Sequence, residues 1–286
     1  MTRSRRRRRR REAVAAILPN LLTLGNAACG FGAIVHIANI VVENDPIRDL
    51  LRHHNIYVAV LLILAANIFD MLDGRVARMT SQTSDLGAQL DSLSDAISFG
   101  VAPAFLVWRV VHLIPLGQAG HLPSRLGWAL ALLYLCCAVL RLARFNVETD
   151  EDDAHDTFEG LPTPGAAGAV VAPFLLLHEG AGSMPPWLLV AVVYVIPIWA
   201  ACIGALMVSR VPYVHFVNWL LKGKKPFARL VEVIFALALV AAFPYWAAAG
   251  GFVVFALTGP AVLAWRWAFT SSATGTKGTE QRPGSI

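Results

Sequence analysis

Charge is what this sequence has least of. Only 15% of its 286 residues are Asp, Glu, Lys or Arg, against 56% hydrophobic, and mean hydropathy is +0.57. Soluble domains carry about 25% charged residues, so an ordinary cytosolic fold is excluded, and intrinsic disorder with it. Cysteine is scarce as well. The four cysteines lie in apolar runs, Cys136 and Cys137 are adjacent, and no C-x-x-C occurs. This excludes a disulfide scaffold and leaves small buried thiols. Helix-turn-helix, zinc and RRM patterns are missing, so no nucleic-acid partner is expected. The first apolar stretch runs to Val42 with no small-x-small site after a short core, which argues against a cleaved signal peptide. What remains is an all-α, polytopic transmembrane helical bundle.

A membrane helix needs about 20 mostly apolar residues. Eight segments meet or approach this: 18–42, 56–78, 88–113, 126–146, 162–178, 186–208, 228–244 and 247–268. Breakers separate them, among them Asn44-Asp45-Pro46, Pro185-Pro186 and Lys222 to Pro226. With the N-terminus in the cytoplasm, 20 of the 24 basic residues fall on the inner side. The positive-inside rule therefore predicts eight spans with both termini cytoplasmic. The predicted organisation is an Arg-rich tail (1–17), six membrane helices (18–208), a basic loop (209–227), two further spans (228–268) and a disordered tail (269–286). Eight arginines crowd the first 11 positions, and beside a span they are expected to anchor to anionic lipid.

Four aspartates interrupt the second and third spans near their cytoplasmic ends. Asp70 and Asp73 are spaced i, i+3, and Asp91 and Asp95 i, i+4, so each pair shares a helix face. The polar, turn-prone stretch 79–86 can join the two helices as an antiparallel pair, which sets the carboxylate pairs facing one another. Such a group repels itself unless cations compensate, and the nearby arginines are only two. Hard divalent cations, Mg²⁺ or Mn²⁺, answer that need through oxygen ligands. Gly74 and Gly87 allow a phosphate or backbone close approach, Ala77 is small one turn beyond Asp73, and Arg78 can grip a phosphate. Snorkelling interfacial charges would not explain paired spacing with two glycines. The combination points to phosphoryl-group chemistry on a lipid.

The stretch from Asp70 to Asp95 reads D-x2-D-G-x2-A-R-x8-G-x3-D-x3-D. It resembles the signature of the CDP-alcohol phosphatidyltransferase family at every fixed position. The Pro19-Asn20-Leu-Leu-Thr23 run with Asn26, the Arg141-Leu-Ala-Arg144-Phe145-Asn146 run and the Gly160-Leu161-Pro162-Thr163-Pro164 run are similar to the membrane-type phosphatidylserine synthase branch. One departure is that the lysine usual after the Phe216 equivalent is absent, since Val217 follows.

The resemblance implies a six-helix core over about 18–208 that converts CDP-diacylglycerol and L-serine into phosphatidylserine and CMP. The last two spans look like an addition to it. It also implies two divalent ions, Mg²⁺ or Mn²⁺, on Asp70, Asp73 and Asp91, with Asp95 completing the site or acting as general base. The CDP moiety would be lined by Asp70, Gly74, Ala77, Arg78 and Gly87. Asn20, Thr23 and Asn26 repeat every three residues along span one, a polar face suited either to cytosine or ribose contacts or to hydrogen bonds between helices. Arg141 and Arg144 would hold the serine carboxylate or the pyrophosphate. A homodimer in a bacterial-type cell membrane, with its site facing the cytosol, is the family expectation. Two alternatives stand beside this reading. One is another acceptor alcohol, glycerol 3-phosphate or an inositol phosphate, and the other is a metal-ion transporter. A transporter predicts inverted repeats or matched broken helices, and the sequence displays neither. The acidic run 148–159 reads as a solvated charge run.

Overall fold

The computed structural model describes residues 3–42, 46–80, 85–114, 122–149, 158–213 and 242–271. Its helices are α1 (Arg3–Ala38), α2 (Pro46–Leu51), α3 (His54–Thr80), α4 (Asp85–Asp95), α5 (Ala102–Leu113), α6 (Leu122–Thr149), α7 (Thr163–Val171), α8 (Pro173–Gly180), α9 (Pro186–Val208) and α10 (Pro244–Ser271). A π-helical turn, Ala96–Val101, joins α4 to α5 without a break. Two-residue strands β1 (Phe158–Glu159) and β2 (Pro212–Tyr213) pair antiparallel, Phe158 opposite Tyr213.

Six helical stretches among the described residues are long and apolar enough to cross a membrane: Leu18–Ala38, Ile47–Ala77, Leu86–Leu113, Ser124–Val147, Pro186–Val208 and Pro244–Trp265. They correspond to the first four, the sixth and the eighth of the expected spans. The fifth is interrupted at Pro173: Ala172 between α7 and α8 keeps helical dihedrals and bonds Gly168 O, so the two form one interrupted helical run, neither part of which alone reaches spanning length. Most of the seventh lies outside the described residues, as do most of the acidic run, most of the basic loop and residues 272–286 of the C-terminal tail; the first three tail residues, expected as disordered, instead complete α10, which runs to Ser271. The arginine run, expected as a tail, is helical backbone from Arg3 onward, while the lipid contacts expected of its side chains fall outside the described residues.

The buried core is apolar, built from residues such as Ile37, Ile56, Ile63, Phe99, Leu106, Tyr134 and Phe174. Large apolar side chains also face outward, Phe31, Ile68, Trp128, Trp187 and Val195 among them. An aqueous protein would avoid this; hydrocarbon favours it. α1 packs most extensively on α3, and α6 on α9. At Gly30 of α1 a side chain is impossible, since a Cβ would come within 2.8 Å of Ser98 Cα. The missing side chain lets α1 press against the π turn, directly behind the aspartate-bearing face.

Three prolines reveal how these helices tolerate interruption. A proline in a helix lacks the N–H that would bond the carbonyl four residues earlier. In lipid no water can replace that donor. Four residues before Pro103 stands Phe99, whose carbonyl accepts from the Tyr134 hydroxyl of α6 at 2.8 Å. Four before Pro173 stands Ala169, whose carbonyl accepts from Trp199 Nε1 of α9 at 2.9 Å. Four before Pro260 stands Ala256, whose carbonyl accepts from the Tyr213 hydroxyl at 2.9 Å. Each of these three carbonyls is thus served by an aromatic donor from another segment.

This arrangement predicts a coupling. Tyr134→Phe removes the donor to a buried carbonyl and should cost about 1–3 kcal/mol. In a Pro103→Ala background, where a backbone N–H is restored, the same change should cost clearly less. Thermal unfolding of the four proteins in detergent measures the coupling, and equal costs in both backgrounds would contradict it.

Candidate active site

α3 and α4 both pack on α1 and bring their carboxylates together. Oxygens of Asp70 on α3 and of Asp91 and Asp95 on α4 all lie within 4.8 Å of one another. Asp95 is 7% exposed and Asp70 and Asp91 are half-buried. Asp91 Oδ1 is buried with no hydrogen-bond partner. Three carboxylates this close, one with a buried unsatisfied oxygen, cannot be explained as mutual packing, because both repulsion and desolvation oppose it. An all-oxygen donor set of this kind fits a hard divalent cation. The cluster therefore answers the test that the sequence posed for a metal.

Asp73 stands apart from the trio. It is 5% exposed, and its Oδ2 lies 3.0 Å from Thr23 Oγ1 of α1, which also lies 3.1 Å from the Pro19 carbonyl. Asn26, fully buried on the next turn of α1, donates from Nδ2 to Asp95 Oδ1 at 2.9 Å. Asn26 Oδ1 is buried and unpartnered. Ser98 Oγ in the π turn donates to the Asn26 carbonyl at 2.9 Å. Thr23 and Asn26, grouped by sequence with the nucleotide pocket, thus touch carboxylates of two different helices. Asn20, half-buried one turn earlier, lies on the same side of α1.

The remaining expected residues distribute as follows. A Cβ on Gly74 would meet nothing within 4 Å, so the space beside it is open. The chain's own packing does not demand glycine there, and the opening suits an incoming group. Ala77 and Gly87 are half-buried on α3 and α4. The Arg78 side chain lies outside the described residues. Arg141 is buried on α6 and Arg144 half-buried one turn on. The same helix end reaches the site's neighbourhood through Asn146, whose Oδ1 accepts from Ser92 Oγ of α4 at 3.0 Å.

Two features escaped the sequence reading. The Ser92–Asn146 bond left no signal. The π turn left one: Pro103, two residues beyond it, marks where the regular ladder must fail. In that turn the Ala102 N–H bonds to Ile97 O instead of the carbonyl four back. The resulting register change lies immediately after Asp95. π turns are often found at functional sites.

Residues 16–204 match the family model described as CDP-alcohol phosphatidyltransferase. The chain is 33% identical over 254 residues to a CDP-diacylglycerol–serine O-phosphatidyltransferase of Mycobacterium tuberculosis, covering 87% of this chain and 73% of that one. It is 34% identical over 211 residues to the Helicobacter pylori enzyme of the same name, covering 72% and 76%. The Methanocaldococcus jannaschii enzyme of that name is 36% identical over 180 residues, covering 63% and 72%.

Proposed function

Because the chain belongs to the CDP-alcohol phosphatidyltransferase family, we propose that it transfers the phosphatidyl group of CDP-diacylglycerol to the hydroxyl of L-serine, giving phosphatidylserine and CMP. The observation that carries this reading is the trio of Asp70, Asp91 and Asp95 oxygens within 4.8 Å inside a signature that ends on two of them. The names of the similar enzymes support serine as acceptor.

In this reading Asp70, Asp73 and Asp91 would hold Mg²⁺ or Mn²⁺, two ions per site, and Asp95, whose oxygen lies within 4.8 Å of those of Asp70 and Asp91, completes the site. Bound there, the ions supply charge neutralisation for the pyrophosphate and for the departing phosphate. The chain does the rest. The serine Oγ–P bond forms to the lipid-side phosphorus, and the bond from that phosphorus to the CMP oxygen breaks. The hydroxyl proton passes to Asp95, the general base. Asn26 donates to Asp95 Oδ1 and so holds the carboxylate in a fixed orientation for that transfer.

The open space at Gly74 admits the diphosphate, with Ala77, Arg78, Gly87 and Asn20 around the CDP part. Arg141 and Arg144 receive the serine carboxylate or the pyrophosphate. Transfer is direct, since no Ser/His or Cys/His pair accompanies the motif. The distribution of basic residues supports a site on the cytosolic side of the cell membrane, and the resemblance supports a homodimer.

The deciding experiment is CMP release by purified protein given CDP-diacylglycerol, Mn²⁺ and one acceptor at a time. L-serine should release CMP, and glycerol 3-phosphate and inositol phosphate should not. Release only with a phosphorylated polyol moves the protein to another acceptor within the family. Metal flux into vesicles without CMP release would make it a transporter.

A further inference from the structure

We propose that α1 serves as a clamp for the carboxylate site: Thr23 and Asn26 are positioning residues that fix Asp73 of α3 and Asp95 of α4 in place before cation or substrate arrives. The inference rests on the proposed function for its kinetic consequence and on geometry alone for its binding consequence.

The two residues are spaced i, i+3 and so project from one face of α1. Each reaches a different helix: Thr23 Oγ1 to Asp73 Oδ2 at 3.0 Å, Asn26 Nδ2 to Asp95 Oδ1 at 2.9 Å. Both are buried, Thr23 at 4% exposure and Asn26 at 0%. One turn of α1 therefore spans the carboxylate faces of two helices that repulsion would otherwise push apart. α1 is itself held from behind. Ser98 Oγ bonds the Asn26 carbonyl, and Gly30 allows the π turn to come into backbone contact. The π turn is fixed in turn by the Tyr134 hydroxyl.

Stability alone does not account for Asn26. Its Oδ1 is buried without a partner, and an unsatisfied buried acceptor costs about 1–3 kcal/mol. An apolar residue of similar shape would avoid that cost and fill the same space, but would leave the buried Asp95 Oδ1 without its donor. The amide is retained to donate to a carboxylate, and its orientation follows, because an ionised carboxylate only accepts. Groups that orient the ligands of a metal site in this way are worth about 10- to 100-fold in metal affinity or activity. The clamp also competes with the role that sequence spacing suggested. A residue committed to a carboxylate changes turnover and metal affinity, whereas a residue contacting the nucleotide changes the KM of the lipid substrate.

The test compares the wild-type protein with Asn26→Leu, Thr23→Val and Thr23→Ser in detergent. Mn²⁺ binding is read by electron paramagnetic resonance with no lipid substrate present, and thermal midpoints report the fold. The clamp predicts Mn²⁺ affinity at least about fivefold weaker for Asn26→Leu and Thr23→Val, with Thr23→Ser close to wild type because its hydroxyl remains. Serine-dependent kcat should fall about tenfold or more in the first two, with KM for CDP-diacylglycerol within about twofold. Unchanged Mn²⁺ affinity in both would overturn the clamp, and so would a raised KM with kcat preserved. If Asn26→Leu does not fold, the Thr23→Val and Thr23→Ser pair decides by the same criteria. A wild-type protein that binds Mn²⁺ without releasing CMP would defeat the proposed reaction, while the Mn²⁺ titrations would still judge the clamp.

Discussion

Asp95→Asn and Asp91→Asn proteins are each expected to fold, enter detergent as the wild type does, and release CMP about 10³-fold more slowly. The two losses have different causes. Asparagine at 95 keeps the size of the side chain and an oxygen facing Asn26 Nδ2, so the local geometry survives. What disappears is the carboxylate of the trio that accepts from the Asn26 amide, the one proposed to take the proton. A missing general base typically costs 10²–10⁴ in rate. At 91 the change converts a buried, unpartnered carboxylate oxygen into a weaker, neutral ligand.

The same substitutions should raise the thermal midpoint of the metal-free protein. Each removes one like charge from a cluster held within 4.8 Å, and crowding of that kind is what a functional site costs its fold. Continuous assay of CMP together with a thermal melt in EDTA tests both halves. Retained turnover in both variants would remove the site assignment, and a lowered metal-free midpoint would contradict the electrostatic account.

Exhaustive chelation has the second large effect. Protein dialysed against EDTA should lose CMP release completely, and Mn²⁺ or Mg²⁺ should restore it. Divalent cations should also shift the melting midpoint upward, because they bind the folded cluster and not the unfolded chain. Saturation at 100 times the dissociation constant is worth about 2.7 kcal/mol. The shift should vanish in Asp91→Asn. Turnover that persists after dialysis, with no restoration to observe, would eliminate the cation role of the quartet.

Much of the site could be read before any coordinates, because the information is local. Helical spacing puts Asp70 with Asp73 and Asp91 with Asp95, and Asp70 of the first pair meets both members of the second. The division within the quartet was not readable. Asp73 is set apart by Thr23, a residue 50 positions earlier, and only three-dimensional packing brings those together. Spans one to four were visible as apolar runs because membrane solvation acts on composition. The interruption in the fifth was not visible, since hydropathy does not register what Pro173 imposes between α7 and α8. The strand pair was invisible for the opposite reason. Four residues carry no periodicity, and their pairing depends on Gly160 at φ 86°, where a Cβ would lie within 2.8 Å of the Ser209 carbonyl oxygen. Its N–H meets Val211 O at 2.9 Å, and the Leu161 N–H meets Leu206 O at 3.1 Å.

The aromatic partners of the three prolines carry a consequence for descent. For Tyr134, Trp199 and Tyr213 the polar atom, as distinct from the ring, is needed at these carbonyls while Pro103, Pro173 and Pro260 persist. A lineage that loses one of these prolines is released from keeping its aromatic donor, whereas a lineage that loses the donor first carries a buried, thirsty carbonyl until the ring is replaced. The six positions should therefore drift as three couples, with the proline usually the first of each to go.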